Sequence, residues 1–262
     1  MSFPVLKEAG EFFTDFLGGS QAVASEPFVQ SGQTGTGAQA SVASVYPSNI
    51  GITQLTAGAT STGAVSLSLD ANSFLLGAAP HRFRIVFQEP QLSASGTNSW
   101  VLLFGFANNV ATASVTNGVW FTTDVSNSLF VNYMDNSVGV TAINVTAGIA
   151  GGALVAGTWY EAIIDINVPT INSNQAASPN LGGPVTGARL YFGPLVPAPQ
   201  TNQAGFNSQA RLVATIPAAK LPGYADTQVT GVVAGITGVT SGSGRNFNID
   251  KLYTSVARLG YQ

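Results

Sequence analysis

The stretch Ser99–Asp124 constrains the fold more than any other part of the chain. It reads Ser-Trp-Val-Leu-Leu-Phe-Gly-Phe, then a polar turn region, then Asn-Gly-Val-Trp-Phe-Thr-Thr-Asp. Trp100, Leu102 and Phe104 fall on one face of an extended strand; Val101, Leu103 and Gly105 fall on the other. Both faces are apolar, so the strand belongs deep in a sandwich or under cover on both sides. In the next strand Val119 and Phe121 alternate with Trp120 and Thr122. Two aromatic-rich strands joined by a polar loop form a hairpin-like core against which others pack. Core packing is therefore the expected role of Trp100, Trp120 and Trp159, ahead of stacking on a sugar.

The same texture continues along the chain. Further strands are expected over Ile50–Thr56, Ala64–Leu69, His81–Gln88, Leu129–Met134, Gly139–Thr146, Trp159–Asn167, Ala188–Gly193, Arg211–Ile216, Val229–Thr237 and Phe247–Leu259. Turn formers such as Asn117-Gly118, Asp135-Asn136 and Pro222-Gly223 separate them. So many short strands with little helical periodicity predict an all-β fold, an antiparallel two-sheet jelly-roll sandwich over residues 45–262. Pro169–Gly187 and Gly193–Gln209 are rich in Asn, Gln, Pro, Ala and Gly, and read as exposed loops. Tyr191, Phe192 and Phe206 are the aromatic residues there that could form a ligand or contact loop.

Residues 1–44 read differently, as a short N-terminal helix and an extended arm. Leu6, Ala9, Phe13, Phe16 and Leu17 follow helical spacing, and Gly18-Gly19 is a stop signal, so a helix is expected over Pro4–Leu17. Ser20–Ser44 is rich in Gly, Ser and Gln and reads as a linker. The helix either folds back on its own domain or docks on a partner subunit through Leu6, Phe12, Phe13, Phe16 and Leu17. The length of the linker favours docking.

Composition excludes several functions. Charged residues make up 8% of the 262 residues, against roughly 25% in ordinary globular proteins. A surface of neutral polar groups desolvates cheaply and suits contact with neighbouring subunits, so a homo-oligomer such as a trimer is expected. Net charge is −3 and the nine basic residues are scattered in sequence, which argues against nucleic acid. There is no Cys, hence no disulfide and no thiolate chemistry. Neither a signal peptide nor a membrane span is visible. One His and no Cys exclude zinc sites of the usual kind. Asp124, Asn127, Asn132, Asp135 and Asn136 cluster, but such clusters are turn formers more often than calcium ligands. His81 has no nucleophile partner in sequence, and no Gly-x-Ser-x-Gly elbow occurs. Gly231–Gly244 lacks the Lys of a phosphate loop. No metal and no cofactor are called for.

Several strands resemble a known family. Thr62–Leu67, Arg82–Phe87, Phe104-Gly105-Phe106, Gly118–Phe121, Gly157–Glu161 leading into Ile163–Ile166, and Phe247–Asp250 occur in the order seen there. This pattern resembles the concanavalin A-like lectin/glucanase jelly roll in the form found on tailed-phage virions, over residues 45–260. The resemblance implies a virion structural protein made in a host cytoplasm. Such a protein is a capsid decoration (cement) protein that binds the major capsid protein or other virion subunits by surface contact. A carbohydrate- or receptor-binding module of a tail fibre or adhesin is the alternative, with a glycan as ligand. Hydrolases with this jelly roll carry a Glu-x-Asp-x-x-Glu-type strand, and no such spacing occurs here. Glu161 and Asp165 share a strand face but lie about 13 Å apart, beyond the roughly 5–9.5 Å that glycoside hydrolysis needs. They read as solvated outward positions, and no enzymatic activity is expected.

Overall fold

Strand alternation is realised as two antiparallel sheets in a computed structural model. It describes residues 9–14, 29–35, 37–42, 52–74, 76, 80–94, 96–109, 115–138, 142–146, 152–167, 187–197, 206–222 and 230–257. The strands are β1 (Ala9–Thr14), β2 (Val29–Thr34), β3 (Ala38–Val42), β4 (Ile52–Thr56), β5 (Ala64–Phe74), β6 (His81–Gln88), β7 (Trp100–Ala107) and β8 (Gly118–Thr123). They continue as β9 (Leu129–Met134), β10 (Ile143–Asn144), β11 (Trp159–Ile166), β12 (Ala188–Pro197), β13 (Phe206–Ser208), β14 (Arg211–Ile216), β15 (Thr230–Gly238) and β16 (Asn246–Ala257).

One sheet has nine strands. Its path runs β13-β12-β11-β6-β16-β4-β3, with β14 also beside β12 and β1 also beside β16. The other has seven strands, in the order β10-β9-β8-β7-β15-β5-β2. Leu55, Phe83, Ile85, Phe87, Leu102, Phe104, Phe106, Phe121, Ile164, Phe192 and Phe247 fill the space between them. Aromatic rings meet across this layer: Phe87 of one sheet meets Phe104 of the other at 4.8 Å between centroids, and Phe104 stacks on Phe247 at 6.1 Å. Such contacts add to the burial term that dominates folding. The predicted hairpin is present, with Phe104 opposite Phe121 and Gly105 opposite Trp120. Gly105 is required there. Its φ is 142°, and a Cβ would come within 2.8 Å of Ile164 Cδ1 and of Val119 O.

The N-terminal helix is not what the described residues form. Ala9–Thr14 is a strand, paired with β16 from Ala9↔Ala257 to Thr14↔Leu252. A helix of about 14 residues is marginal in water, whereas the flank of β16 offers a full ladder of backbone partners. Phe12 and Phe13 lie on this strand, opposite Thr254 and Tyr253. Leu6, Phe16 and Leu17 lie outside the described residues. The linker also contains structure: β2 pairs with β5 and β3 with β4. Only residues 35–37 separate β2 in one sheet from β3 in the other. Gly35, at φ 60°, makes that corner, and a Cβ there would collide with Thr60 Oγ1.

The second expected loop is also partly sheet. β12 runs on to Pro197 and β13 pairs Phe206 with Pro197. Residues 169–186, the bulk of the first expected loop, lie outside the described residues.

Candidate functional site

The outer face of the nine-stranded sheet collects the chain's rare charges. β6 alternates Phe83, Ile85 and Phe87 inward with Arg82, Arg84 and Val86 outward. β11 alternates Tyr160, Ala162 and Ile164 inward with Glu161, Ile163 and Asp165 outward. Antiparallel register then sets these side chains in rows. Tyr253, Arg84, Ile163 and Tyr191 form a middle row across β16, β6, β11 and β12. Ser255, Arg82, Asp165 and Arg189 flank it on one side; Lys251, Val86, Glu161 and Gly193 flank it on the other. Four strands span about 14 Å, and rows two residues apart are about 6.7 Å apart.

Two ion pairs anchor the patch. Arg82 Nε and Nη2 donate to Asp165 Oδ1 at 2.6 Å and Oδ2 at 2.8 Å. Arg84 Nε donates to Glu161 Oε1, and Ser208 Oγ donates to Glu161 Oε2. The arginine side chains are 46% and 49% exposed, their carboxylates 6% and 2%. Hydrogen bonding to Asp165 raises the pKa of Arg82 above its ordinary value, against the effect of burial; the charge of Asp165 and the nearby Tyr253 and Tyr191 add to the rise. Glu161 and Asp165 are thus outward but buried under guanidinium groups, not solvated as their spacing suggested.

A ladder of amides forms the next row. Gln54 Nε2 donates to Asn248 Oδ1 at 2.9 Å, Asn248 Nδ2 to Gln88 Oε1 at 3.2 Å, and Gln88 Nε2 to Gly157 O at 2.6 Å. Beside it Ile52, Val86, Trp159 and Leu195 form a small buried apolar cluster.

Loops at one end of the sandwich hold two buried ionisable groups. Arg245 is fully buried and bound by neutral acceptors: Nε to Asn98 Oδ1 at 3.0 Å, Nη1 to Thr60 O at 2.8 Å, and Nη2 to Thr240 O. It ties three loops together. Glu89 is 2% exposed, and among the described residues neither carboxyl oxygen has a hydrogen-bond partner. Burial pushes its pKa up to about 8.

The other sequence candidates fall elsewhere. Tyr191 sits on the charged face. Phe192 is buried in the core, so it is not a loop residue. Phe206 lies on β13. Trp100, Trp120 and Trp159 are all buried; Trp120 belongs to a cluster with Leu103, Val115 and Val233 on the outer side of the seven-stranded sheet. Asp124 Oδ1 accepts from Ser126 N at 2.9 Å and Ser128 N at 2.8 Å, as a turn former does. Among the described residues no group of three or more His, Cys, Asp or Glu could hold a metal. His81 is buried edge-on against Phe74 and Phe106. Among the described residues no helix is long and apolar enough to cross a membrane.

No protein-family model matches this chain, and neither does any curated protein. Solved structures are similar in fold. One is a protein of unknown function from Shewanella oneidensis MR-1, with TM-score 0.58 and 11% identity, covering 97% of this chain and 90% of that one. Another is peanut lectin with a nine-residue peptide, with TM-score 0.50 and 12% identity over 97% of this chain and 100% of that one. Arcelin-5, a lectin-like defense protein from Phaseolus vulgaris, has TM-score 0.47 and 11% identity over 95% and 98%. The fold is that of concanavalin A-like lectins.

Proposed function

We propose that this chain is a non-catalytic carbohydrate-binding module whose site is the outer face of the nine-stranded sheet. The observation that carries this reading is the hydrogen-bonding surface held rigid there. Three strands carry the Gln54–Asn248–Gln88 amide ladder, with half-buried Gln54 and Gln88 on either side of buried Asn248, and two more rows present arginines and tyrosines. Sugars are recognised by fixed donors and acceptors beside flat aromatic surface. The carboxylates that an acid–base reaction would use are instead bonded to Arg84, Ser208 and Arg82. Peanut lectin shares the fold and is by name a lectin.

Affinity electrophoresis of the full chain through gels containing a panel of neutral and acidic polysaccharides tests the proposal. At least one polymer should retard it. Gln54→Ala with Asn248→Ala should weaken that retardation while leaving a cooperative melt. No retardation by any polymer, in a folded protein, would overturn the reading.

A chain with only 8% charged residues favours a second setting for the module. It would be carried on a virion assembled in a host cytoplasm, in oligomeric contact with capsid or tail subunits. Counting its copies in purified particles separates a shell protein, with hundreds, from a tail protein, with few.

A further inference from the structure

We infer that the charged face takes an acidic polysaccharide, with uronate carboxylates seated on the outward edges of Arg82 and Arg84. The inference rests on the glycan-binding reading and names its ligand class. Three observations carry it.

The first is the orientation of the ion pairs. Each carboxylate is buried and each guanidinium is about half exposed. Each pair is neutral in sum, yet solvent meets its positive end. Asp165 occupies Nε and Nη2 of Arg82, which leaves the Nη1 edge outward. Glu161 occupies Nε of Arg84, which leaves its terminal amines outward. A planar fork of N–H donors matches a carboxylate in two bonds.

The second is pre-organisation. A free surface arginine loses much side-chain freedom when it binds an anion. Here the carboxylates beneath have already fixed both guanidinium groups. The two arginines stand two residues apart on one strand, about 6.7 Å, so a repeating anionic chain can meet both. Tyr253 and Tyr191 lie at either end of the Arg84 row, and their rings offer flat surface to the sugar between charges.

The third is selectivity. The chain as a whole is net −3, so its overall field repels polyanions and binding has to come from the local basic rows. Lys251 is exposed on the same face, opposite Val86. Together with Arg82, Arg84 and Arg189 it brings four of the nine basic residues to one side of one sheet. The scatter seen along the sequence is undone by the fold.

The test is affinity electrophoresis and calorimetry of the full chain with three probes: polygalacturonate, the same polymer after carboxyl reduction, and dextran sulfate. Polygalacturonate should bind, weaken as salt rises, and lose binding on carboxyl reduction. Arg82→Gln and Arg84→Gln should each weaken it about tenfold, the loss of one charge-assisted bidentate contact. Lys220→Gln, on the turn after β14, should leave it unchanged. Arg84→Gln strands a buried carboxylate, so Arg84→Gln with Glu161→Gln is made as well; it should melt near wild type and still bind weakly. Equal binding of the reduced polymer, unmoved by the arginine variants, would overturn the acidic class and leave glycan binding standing. Binding of dextran sulfate alone would overturn the carboxylate assignment. Binding of none of these, nor of any neutral glycan, would remove both readings.

Discussion

The two outward faces of this sandwich are made of equally regular strands and differ in chemistry. On the nine-stranded sheet the described side chains include Arg82, Arg84, Glu161, Asp165, Arg189 and Lys251. On the seven-stranded sheet the corresponding positions of β7, β8 and β15 are Val101, Leu103, Ala107, Trp120, Thr122, Val233, Gly235 and Thr237, none of them charged. There Leu103, Ala107, Val115, Trp120 and Val233 are themselves buried, with Met134 packed against them. Each face thus carries a small buried apolar cluster, that of the nine-stranded sheet being Ile52, Val86, Trp159 and Leu195; the difference is the charged rows that the nine-stranded sheet carries beside its cluster. In a chain so poor in charge, concentrating it on one face marks that face as the one whose solvent contact matters.

Removing residues 1–44 strikes both faces and should have the largest effect. It takes β1 and β3 from one sheet and β2 from the other, exposing the flanks of β16, β4 and β5 to water and to other chains. The melting temperature should fall by more than about 10 °C, or the protein should aggregate. An unchanged melt would show those strands to be dispensable.

Trp120→Ala should separate the faces. Opening a cavity in the outer cluster should cost about 3–5 kcal/mol in denaturant unfolding and leave glycan retardation of the surviving folded protein intact. Lost retardation with an unchanged midpoint would make the neutral face the binding face.

Glu89 gives stability a pH slope. Between the ordinary carboxyl value of 4.5 and about 8, the folded chain keeps a proton that the unfolded chain has released. Stability then falls as pH rises, by about 1.4 kcal/mol per pH unit for this group, and levels off above the folded value. Thermal melts at pH 6 and pH 8 should diverge for the native chain and converge in Glu89→Gln. Equal divergence in both would show that the carboxyl is solvated or paired.

The smallest effect concerns asymmetry within the ion pair. Arg84→Ala strands a carboxylate that is almost fully buried and should cost about 2 kcal/mol. Glu161→Gln strands only a half-exposed guanidinium, which water can serve, and should cost less than about 1 kcal/mol. The reverse order would mean that the arginine, not the carboxylate, depends on the pairing.

The heart of the sandwich was legible because its strands carry large apolar residues at period two, as Phe83, Ile85 and Phe87 do. The outer strands were not. Ala38–Val42 reads Ala-Gln-Ala-Ser-Val and Val29–Thr34 reads Val-Gln-Ser-Gly-Gln-Thr; their described pairing is through backbone, which leaves little trace in side-chain pattern. Around Ala9–Thr14 the apolar residues fit a helical period equally well, and a ready ladder on β16 decided the outcome. The charged face was half legible. Arg82, Arg84, Glu161 and Asp165 each showed as a polar residue in an apolar strand. Their pairing depends on the register of β6 against β11, which brings together residues 77 and 83 positions apart and which no local spacing encodes.

The pairing of β1 with β16 closes the chain on itself. Ala9 stands opposite Ala257, so positions near the two extremes of the described sequence are neighbours in space. A few added residues could join them without crossing either sheet. The same proximity lets the whole sandwich be spliced into a loop of an unrelated host as a pendant bead, entering and leaving through one narrow neck.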